Sequence, residues 1–218
     1  MSLSAADYAD DRRGRHEDRR FETIDAVLGE EGSGWRVLEI GSGGGAQLAR
    51  VAAAHPDAHC VGIEASAELA AYANEHHASD RVAFRHGEIQ SIAATHEYDF
   101  EFSVDVIHQF HDRVAAFGGI RGALRNRARW LVIEPNVLHP FVTLQQERMR
   151  RAGLDEDHFR PWQAIPELRR CGFSVVRRSH MLLFPRSFTP GPCLAELERR
   201  LERLPFLGGA TVLLIRAA

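Results

Sequence analysis

The stretch RVLEIGSGGGAQLARVA, running from Arg36 to Ala52, decides the fold. A short apolar run carries one acid, Glu39, near its end, and glycines then fill positions 41, 43, 44 and 45. From Ala46 a helical pattern begins, with Leu48 and Val51 three apart. Strand, tight turn and helix in that order open a βαβ unit, and the glycines let a ligand approach the backbone because no Cβ stands in the way. Gly41, Gly43 and Ala46 satisfy the G-x-G-x-x-[GA] spacing of a dinucleotide-binding turn. Glu39 argues for a different ligand. A carboxylate at the tip of the strand repels a pyrophosphate and attracts an ammonium or sulfonium centre. The pattern Glu39-x-Gly41-x-Gly43-x-Gly45 therefore favours a zwitterionic, net-cationic nucleoside.

Outward from that stretch, strands and helices alternate. HCVGIEA reads as a strand ending in an acid, and SAELAAYANEHH as a helix with Ser66 as its N-cap. RVAFRHGE and YDFEFSVDV are strands, HDRVAAFGGIRGALR is a helix, and ARWLVIEPN is a strand halted by Pro135. This rhythm predicts a parallel sheet covered on both faces. Upstream, Phe21, Ile24, Val27 and Leu28 stand at helical spacing up to Gly32, after a polar stretch read as a frayed tail. Its arginine-rich segment DRRGRHEDRR reads as a solvated helix face. In the last third, VTLQQERMRR and QAIPELRRCG are helices, and FSVVRRSHMLLF and GATVLLIRA are the last two strands. Between those strands lies a helix with Leu194, Leu197, Leu201 and Leu204 on one stripe.

The bulk composition narrows the function. At 218 residues and 44% hydrophobic content the chain fits one α/β domain, 1–218, with a real core. The net charge of −3 offers no basic excess for nucleic acid or a membrane surface. All 27 basic side chains are arginine, which excludes Schiff-base chemistry on a lysine. Cys60, Cys171 and Cys193 lack metal-ligand spacing and read as incidental thiols in a reducing compartment. The charged N-terminus is no secretory signal, and no apolar run spans a bilayer, so a cytoplasmic protein is expected, as monomer or homodimer. His108, His111 and Asp112 do not complete a metal site, and no metal is expected.

Taken together, VLEIGSGGG, VGIEAS, FRHGEI, YDFEFSVDVIHQFHD, LVIEPN and the C-terminal LERLPFLGGATVLLIRAA resemble a class I S-adenosylmethionine-dependent methyltransferase of the small-molecule group. The likeness runs from about Val37 to the end. It implies a doubly wound, mostly parallel seven-stranded sheet of the Rossmann-like methyltransferase type, with an antiparallel last strand and a small helical cap formed by 1–30 and 137–165. It also implies S-adenosyl-L-methionine as cofactor. In the resemblance Glu39, Gly41, Gly43 and Gly45 cradle the methionine part and ribose, Glu64 takes the ribose hydroxyls, and Ala65 lies against adenine. Glu88 and the backbone of Ile89 meet the adenine edge, and Ser103 reaches the ligand's amino group through its backbone. His108 matches the first histidine of a Leu-His-His segment common in relatives. Two positions depart from the pattern: GALRNRARW replaces a Pro-Gly-Gly turn, and Gln109 stands where a second histidine is common.

Methyl transfer needs an acceptor lone pair held in line with the methyl group, and a hydroxyl acceptor also needs its proton removed. His108 is the candidate base, and oxygen is favoured over nitrogen as acceptor atom. Glu134, Asn136, His139, His158, Phe159, Arg160 and Trp162 are candidate lining residues for a small-molecule site. Two other readings stay open at this point: a nicotinamide oxidoreductase, and a non-catalytic nucleoside-binding module of the same fold.

Overall fold

The computed structural model describes residues 14–29, 34–91, 95–151 and 158–218. The readings of residues 1–13, of 30–33 with the expected helix end at Gly32, of 92–94 and of 152–157 lie outside those ranges. In chain order the elements are α1 (Arg15–Gly29), β1 (Arg36–Ile40), α2 (Ala46–Ala54), β2 (His59–Glu64), α3 (Ala67–His77), β3 (Val82–His86) and β4 (Tyr98–Val104). They continue with α4 (Arg113–Ala123), β5 (Leu124–Pro135), α5 (Pro140–Arg151), α6 (Pro161–Arg170), β6 (Phe173–Met181), α7 (Pro192–Leu201) and β7 (Ala210–Ala217).

The strands form one seven-stranded sheet in the order β3-β2-β1-β4-β5-β7-β6. β7 runs antiparallel to both of its neighbours, and the pairs among β1–β5 are parallel. This is the expected doubly wound sheet. The strand order reverses between β1 and β4, which places a ligand crevice at their C-terminal ends.

Alternation along β4 builds two cores. Phe100, Phe102 and Val104 pack with Ile24, Leu28, Leu48 and Val51 on the side of α1 and α2, whereas Leu38, Trp130 and Val132 meet Phe117, Ile120 and Leu168 on the side of α4 and α6. Helix α3 starts as the sequence requires, with the Ser66 hydroxyl accepting from the Leu69 N–H at 3.3 Å. Asp112 caps α4 in the same way, accepting from the Ala115 N–H at 2.9 Å.

Three local expectations change. Residues 15–20 of the polar segment before Phe21 are no frayed tail: α1 already begins at Arg15, and its arginines are pinned rather than solvated. Arg15 and Arg19 reach Glu198 and Glu202 of the α7 region, the Arg19–Glu202 contact being 2.7 Å. Helix α7 is consequently turned with Glu198 inward, while Glu196 stays at the surface. Glu198 is fully buried, while Leu194, Leu197 and Leu204 remain over two-fifths exposed. Finally, β5 follows α4 without a separate turn. Leu124 pairs with Tyr98 and Arg129 with Phe100, so residues 125–128 make an excursion, with Arg127 left-handed at φ 66°. That excursion replaces the Pro-Gly-Gly turn.

Glu101 is the anomaly of the core. It is fully buried on β4 beside Trp130, and neither carboxyl oxygen has a hydrogen-bond partner among the described residues. Burial first, and the nearby Glu39 charge second, push its pKa well above the ordinary glutamate value. The neutral acid is therefore tolerated in the fold, and stability is lost as pH rises from the unfolded value towards the raised folded one. The isosteric Glu101→Gln variant is expected to gain stability over the parent, with the gap widening as pH rises from about 5, above the ordinary glutamate value. Denaturant titrations from that pH upward check this; a pH-independent gap contradicts it.

Candidate active site

The loop after β1 holds three glycines with left-handed backbone, Gly41, Gly43 and Gly45, and two of them are closely packed. Gly41 has φ +71°, and a Cβ there would lie 2.1 Å from Cγ2 of Val106, on the segment leaving β4. Gly45, at φ +84°, caps α2, and its Cβ would come within 2.7 Å of the Phe84 ring. The loop is held to β2 by hydrogen bonds from the Gly41 and Ser42 N–H groups to the Ile63 carbonyl, at 2.8 and 3.1 Å. Glu39 is buried and lines the cleft formed by residues 41–46, Gln47, Val104 and Glu17 of α1.

Glu64, closing β2, ties this loop to the next helix. One carboxylate oxygen accepts from the Gly43 N–H at 2.8 Å, and the other from the Ser66 N–H at 2.8 Å. Ala65 is exposed beside it, and its carbonyl lies 3.1 Å from Nε2 of His86. Glu88 is exposed on the next strand exit and receives the Gln90 side-chain amide. Ile89 is buried, and its carbonyl packs so tightly on α4 that a Cβ at Gly119 would meet it at 2.6 Å. The Ser103 hydroxyl turns into the core, where it accepts from the Trp130 indole N–H at 3.0 Å. Glu39, the glycines and Glu64 thus converge on one loop, Ala65 and Glu88 follow along the strand ends, and the Ser103 side chain points away.

Beyond β4 the chain makes a short 3-10 turn, Ile107–Gln109, carrying His108. Glu134, at the end of the neighbouring strand β5, is fully buried beneath it. Its Oε1 accepts from the Val106 and Ile107 N–H groups at 2.8 and 2.6 Å, and its Oε2 lies 2.7 Å from His108 Nδ1. A carboxylate only accepts, so Nδ1 carries the hydrogen and Nε2 is left as the acceptor. His108 lines a cavity of about 860 Å³. Its walls come from α1 (His16, Arg20), the β4 exit (Asp105), α5 (Phe141, Val142, Met149) and the segment after β6 (Leu182–Arg186).

A charged partition separates the cleft from the cavity. Arg20 donates to Glu17 Oε1 at 2.8 Å and to Asp105 Oδ2 at 2.5 Å, and Arg186 also reaches Glu17. Glu17 faces the loop and Arg20 faces the cavity.

Of the lining residues anticipated for the acceptor, only His139 borders this cavity; Glu134 holds His108 in place from behind, and His158 holds Gln146, another lining residue. Asn136 is a structural donor to the Pro205 and Gly208 carbonyls. Phe159 is buried in the core on the α4 side, His158 pairs with Gln146, and Trp162 is exposed away from the cavity. The link between Glu134 and His108 escaped the sequence reading. The signal for it was an acid closing an apolar strand that must lie beside β4 in a parallel sheet.

A family model described as a methyltransferase domain matches residues 31–165. The chain belongs to that methyltransferase family. No curated protein matches in sequence. Among solved structures, the chain is similar to one from the complex between the Haloferax volcanii Trm112 methyltransferase activator and a methyltransferase. The TM-score is 0.70 and the identity 16%, with 98% of this chain and 95% of that one covered. It is also similar to magnesium protoporphyrin IX methyltransferase from Synechocystis with bound S-adenosylhomocysteine, with TM-score 0.66, 15% identity, and coverage of 93% and 83%. Phosphoethanolamine N-methyltransferase 2 of Haemonchus contortus aligns with TM-score 0.68 and 16% identity over 91% of this chain and 52% of that one. At such identities the likeness establishes the fold, and family membership makes the chain an S-adenosylmethionine-dependent methyltransferase of class I.

The cleft of this methyltransferase fits that cofactor: a side-chain-free turn with a buried carboxylate at its base suits a bulky, positively charged nucleoside. Gly41→Ala forces either Val106 or the loop to move. It is expected to lower affinity for S-adenosylhomocysteine more than tenfold, at roughly 1.4 kcal/mol per decade, in isothermal titration. Unchanged affinity would show that the loop does not carry the cofactor.

Proposed function

We propose that the methyltransferase moves the methyl group of S-adenosylmethionine to a hydroxyl oxygen of a small molecule held in the cavity beside His108. The observation that carries this reading is the buried Glu134–His108 pair, 2.7 Å apart, on the cavity wall. An amine needs only partial deprotonation before it attacks, whereas a hydroxyl needs its proton taken as the bond forms, the task a buried, oriented imidazole suits.

Glu39 faces the cationic head of the bound donor, while Gly41, Gly43 and Gly45 give it room against the backbone. Glu64 keeps lone pairs for the ribose hydroxyls beyond those used by Gly43 and Ser66. Ala65, Glu88 and the Ile89 backbone border the adenine, and the Ser103 backbone remains available toward the amino group. S-adenosylmethionine, when bound, supplies an electrophilic methyl group and leaves as a neutral thioether. His108 takes the acceptor's hydroxyl proton on Nε2 as the oxygen lone pair forms the new bond. The positive charge it acquires is stabilised by the Glu134 carboxylate on Nδ1. Helices α1 and α5 act as the cap that holds acceptor and donor together away from water. No helix among the described residues is long and apolar enough to cross a membrane.

Loss of a positioned general base costs roughly 10²–10⁴ in rate. His108→Gln is therefore expected to lower kcat by at least 10²-fold with a hydroxyl acceptor while S-adenosylhomocysteine affinity stays within about twofold. Wild-type kcat in that variant would remove the base role. Binding of S-adenosylhomocysteine without turnover of any hydroxyl acceptor would favour a binding module instead.

A further inference from the structure

The charges around the cavity do not balance. Three guanidinium groups line it: Arg20, Arg148 and Arg186. Two carboxylates answer them, Asp105 on Arg20 and Glu17 shared between Arg20 and Arg186. Arg148 makes no ion pair among the described residues, because its neighbour on α5, Glu147, is taken by Arg150 and Arg151. Burial holds the His16 and His139 imidazoles below the ordinary histidine value, so these two add hydrogen-bonding capacity without positive charge. Among the described residues, the Arg148 guanidinium is thus the charge on the lining left for a ligand.

Its position gives that ligand a shape. His108 sits at the floor, buried under the strand ends, whereas Arg148 is exposed at the rim. Between them α5 turns one face to the cavity, with Phe141, Leu144, Arg148 and Met149 at spacings of three, four and one. Phe141 and Leu144 are about half exposed, at 55% and 48%, although they border a concave site. At ~1.5 Å rise per residue, Phe141 and Arg148 stand about 10 Å apart along the helix. Leu182, Leu183 and Phe184 form the facing wall.

We infer that the acceptor is an elongated, largely apolar hydroxy-carboxylate, lying along the α5 wall with its carboxylate at Arg148 and its hydroxyl at His108. The hydroxyl end rests on the function proposed above; the carboxylate end does not. A neutral acceptor would leave the guanidinium with water alone, and a cationic one would be repelled by it. Guanidinium and carboxylate pair through two parallel N–H···O bonds, which fixes the acceptor's direction in the cavity as well as its charge.

The test compares hydroxycinnamate and a hydroxybiphenyl carboxylate with their primary amides. Binding is measured by titration into the S-adenosylhomocysteine complex of the full chain and of Arg148→Gln, whose exposed position leaves folding intact. Each carboxylate is expected to bind about tenfold more tightly than its amide at low salt, as for one charge-assisted contact. That preference should shrink with added salt and vanish in Arg148→Gln, with amide affinities unchanged. Equal binding of acid and amide, no binding of either, or a preference that survives in Arg148→Gln would overturn the inference. Methyl ether formation is followed separately. Carboxylate-selective binding without methylation would keep the anion site and remove the hydroxyl-transfer reading, whereas methylation of amides as readily as acids would do the reverse.

Discussion

The close approach of Val106 to Gly41 holds the two halves of the site together. Protein interiors are packed as densely as organic crystals, so a contact that leaves no room for a single methyl group acts as a joint. On one side of it lies the loop carrying Glu39; on the other, two residues further along, lies His108. Glu134 fixes the same segment from beneath by accepting the N–H groups of Val106 and Ile107. Three strand ends, β1, β4 and β5, are thereby locked in one geometry, which on the proposed function brings a donor resting on the first next to a base carried by the second.

The helix above them is held by charge rather than by apolar contact alone. Ile24, Val27 and Leu28 anchor the C-terminal half of α1 in the core, but its first turns dock through Arg15, Arg19 and Arg20. Buried ion pairs gain little over apolar packing of the same shape, because desolvation offsets most of the Coulomb term, yet removing one partner leaves a costly buried charge. Their effect is positional. The same demand explains why α7 faces inward with Glu198 and Glu202, which also cap the Phe184 and Leu182 N–H groups and so shape the wall of the cavity.

What the sequence made legible was local. The β1–glycine–α2 unit, the Ser66 cap, the order of the strands and the acids closing β1 and β2 all follow from patterns within a few residues of one another. The excursion before β5, the docking of α1 and the Glu134–His108 pair depend on contacts across 26 to 183 residues of chain. Hydrophobic periodicity does not encode such contacts. The arginines of α1 look like a solvated face because interleaved acids mask them, and their true partners lie near the other end of the chain. The leucines of α7 mislead for the complementary reason: a regular apolar stripe announces a buried face, but here the buried face was claimed by acids with arginines to meet. Acceptor residues were the least legible, since a cavity wall is assembled from α1, α5 and the segment after β6, three pieces with no motif in common.

The partition of Glu17, Arg20 and Asp105 divides the crevice into regions of opposite sign. Toward the loop stand Glu17, Glu39 and Glu64; toward the cavity stand Arg20 and Arg186, paired with Asp105 and Glu17, and Arg148 at the rim. At an effective dielectric constant near ~20, unit charges about 8 Å apart interact by roughly 2 kcal/mol, so a few such groups suffice to discriminate. A cationic donor placed in the cavity would lose attraction and meet repulsion, and an anionic acceptor on the loop would suffer the same two penalties. On the proposed acceptor, opposed fields of this kind would assign each reactant to its own side without a single specific contact to the atoms that react. Line and distance between them are then left to the joint at Gly41 and to the carboxylate beneath His108.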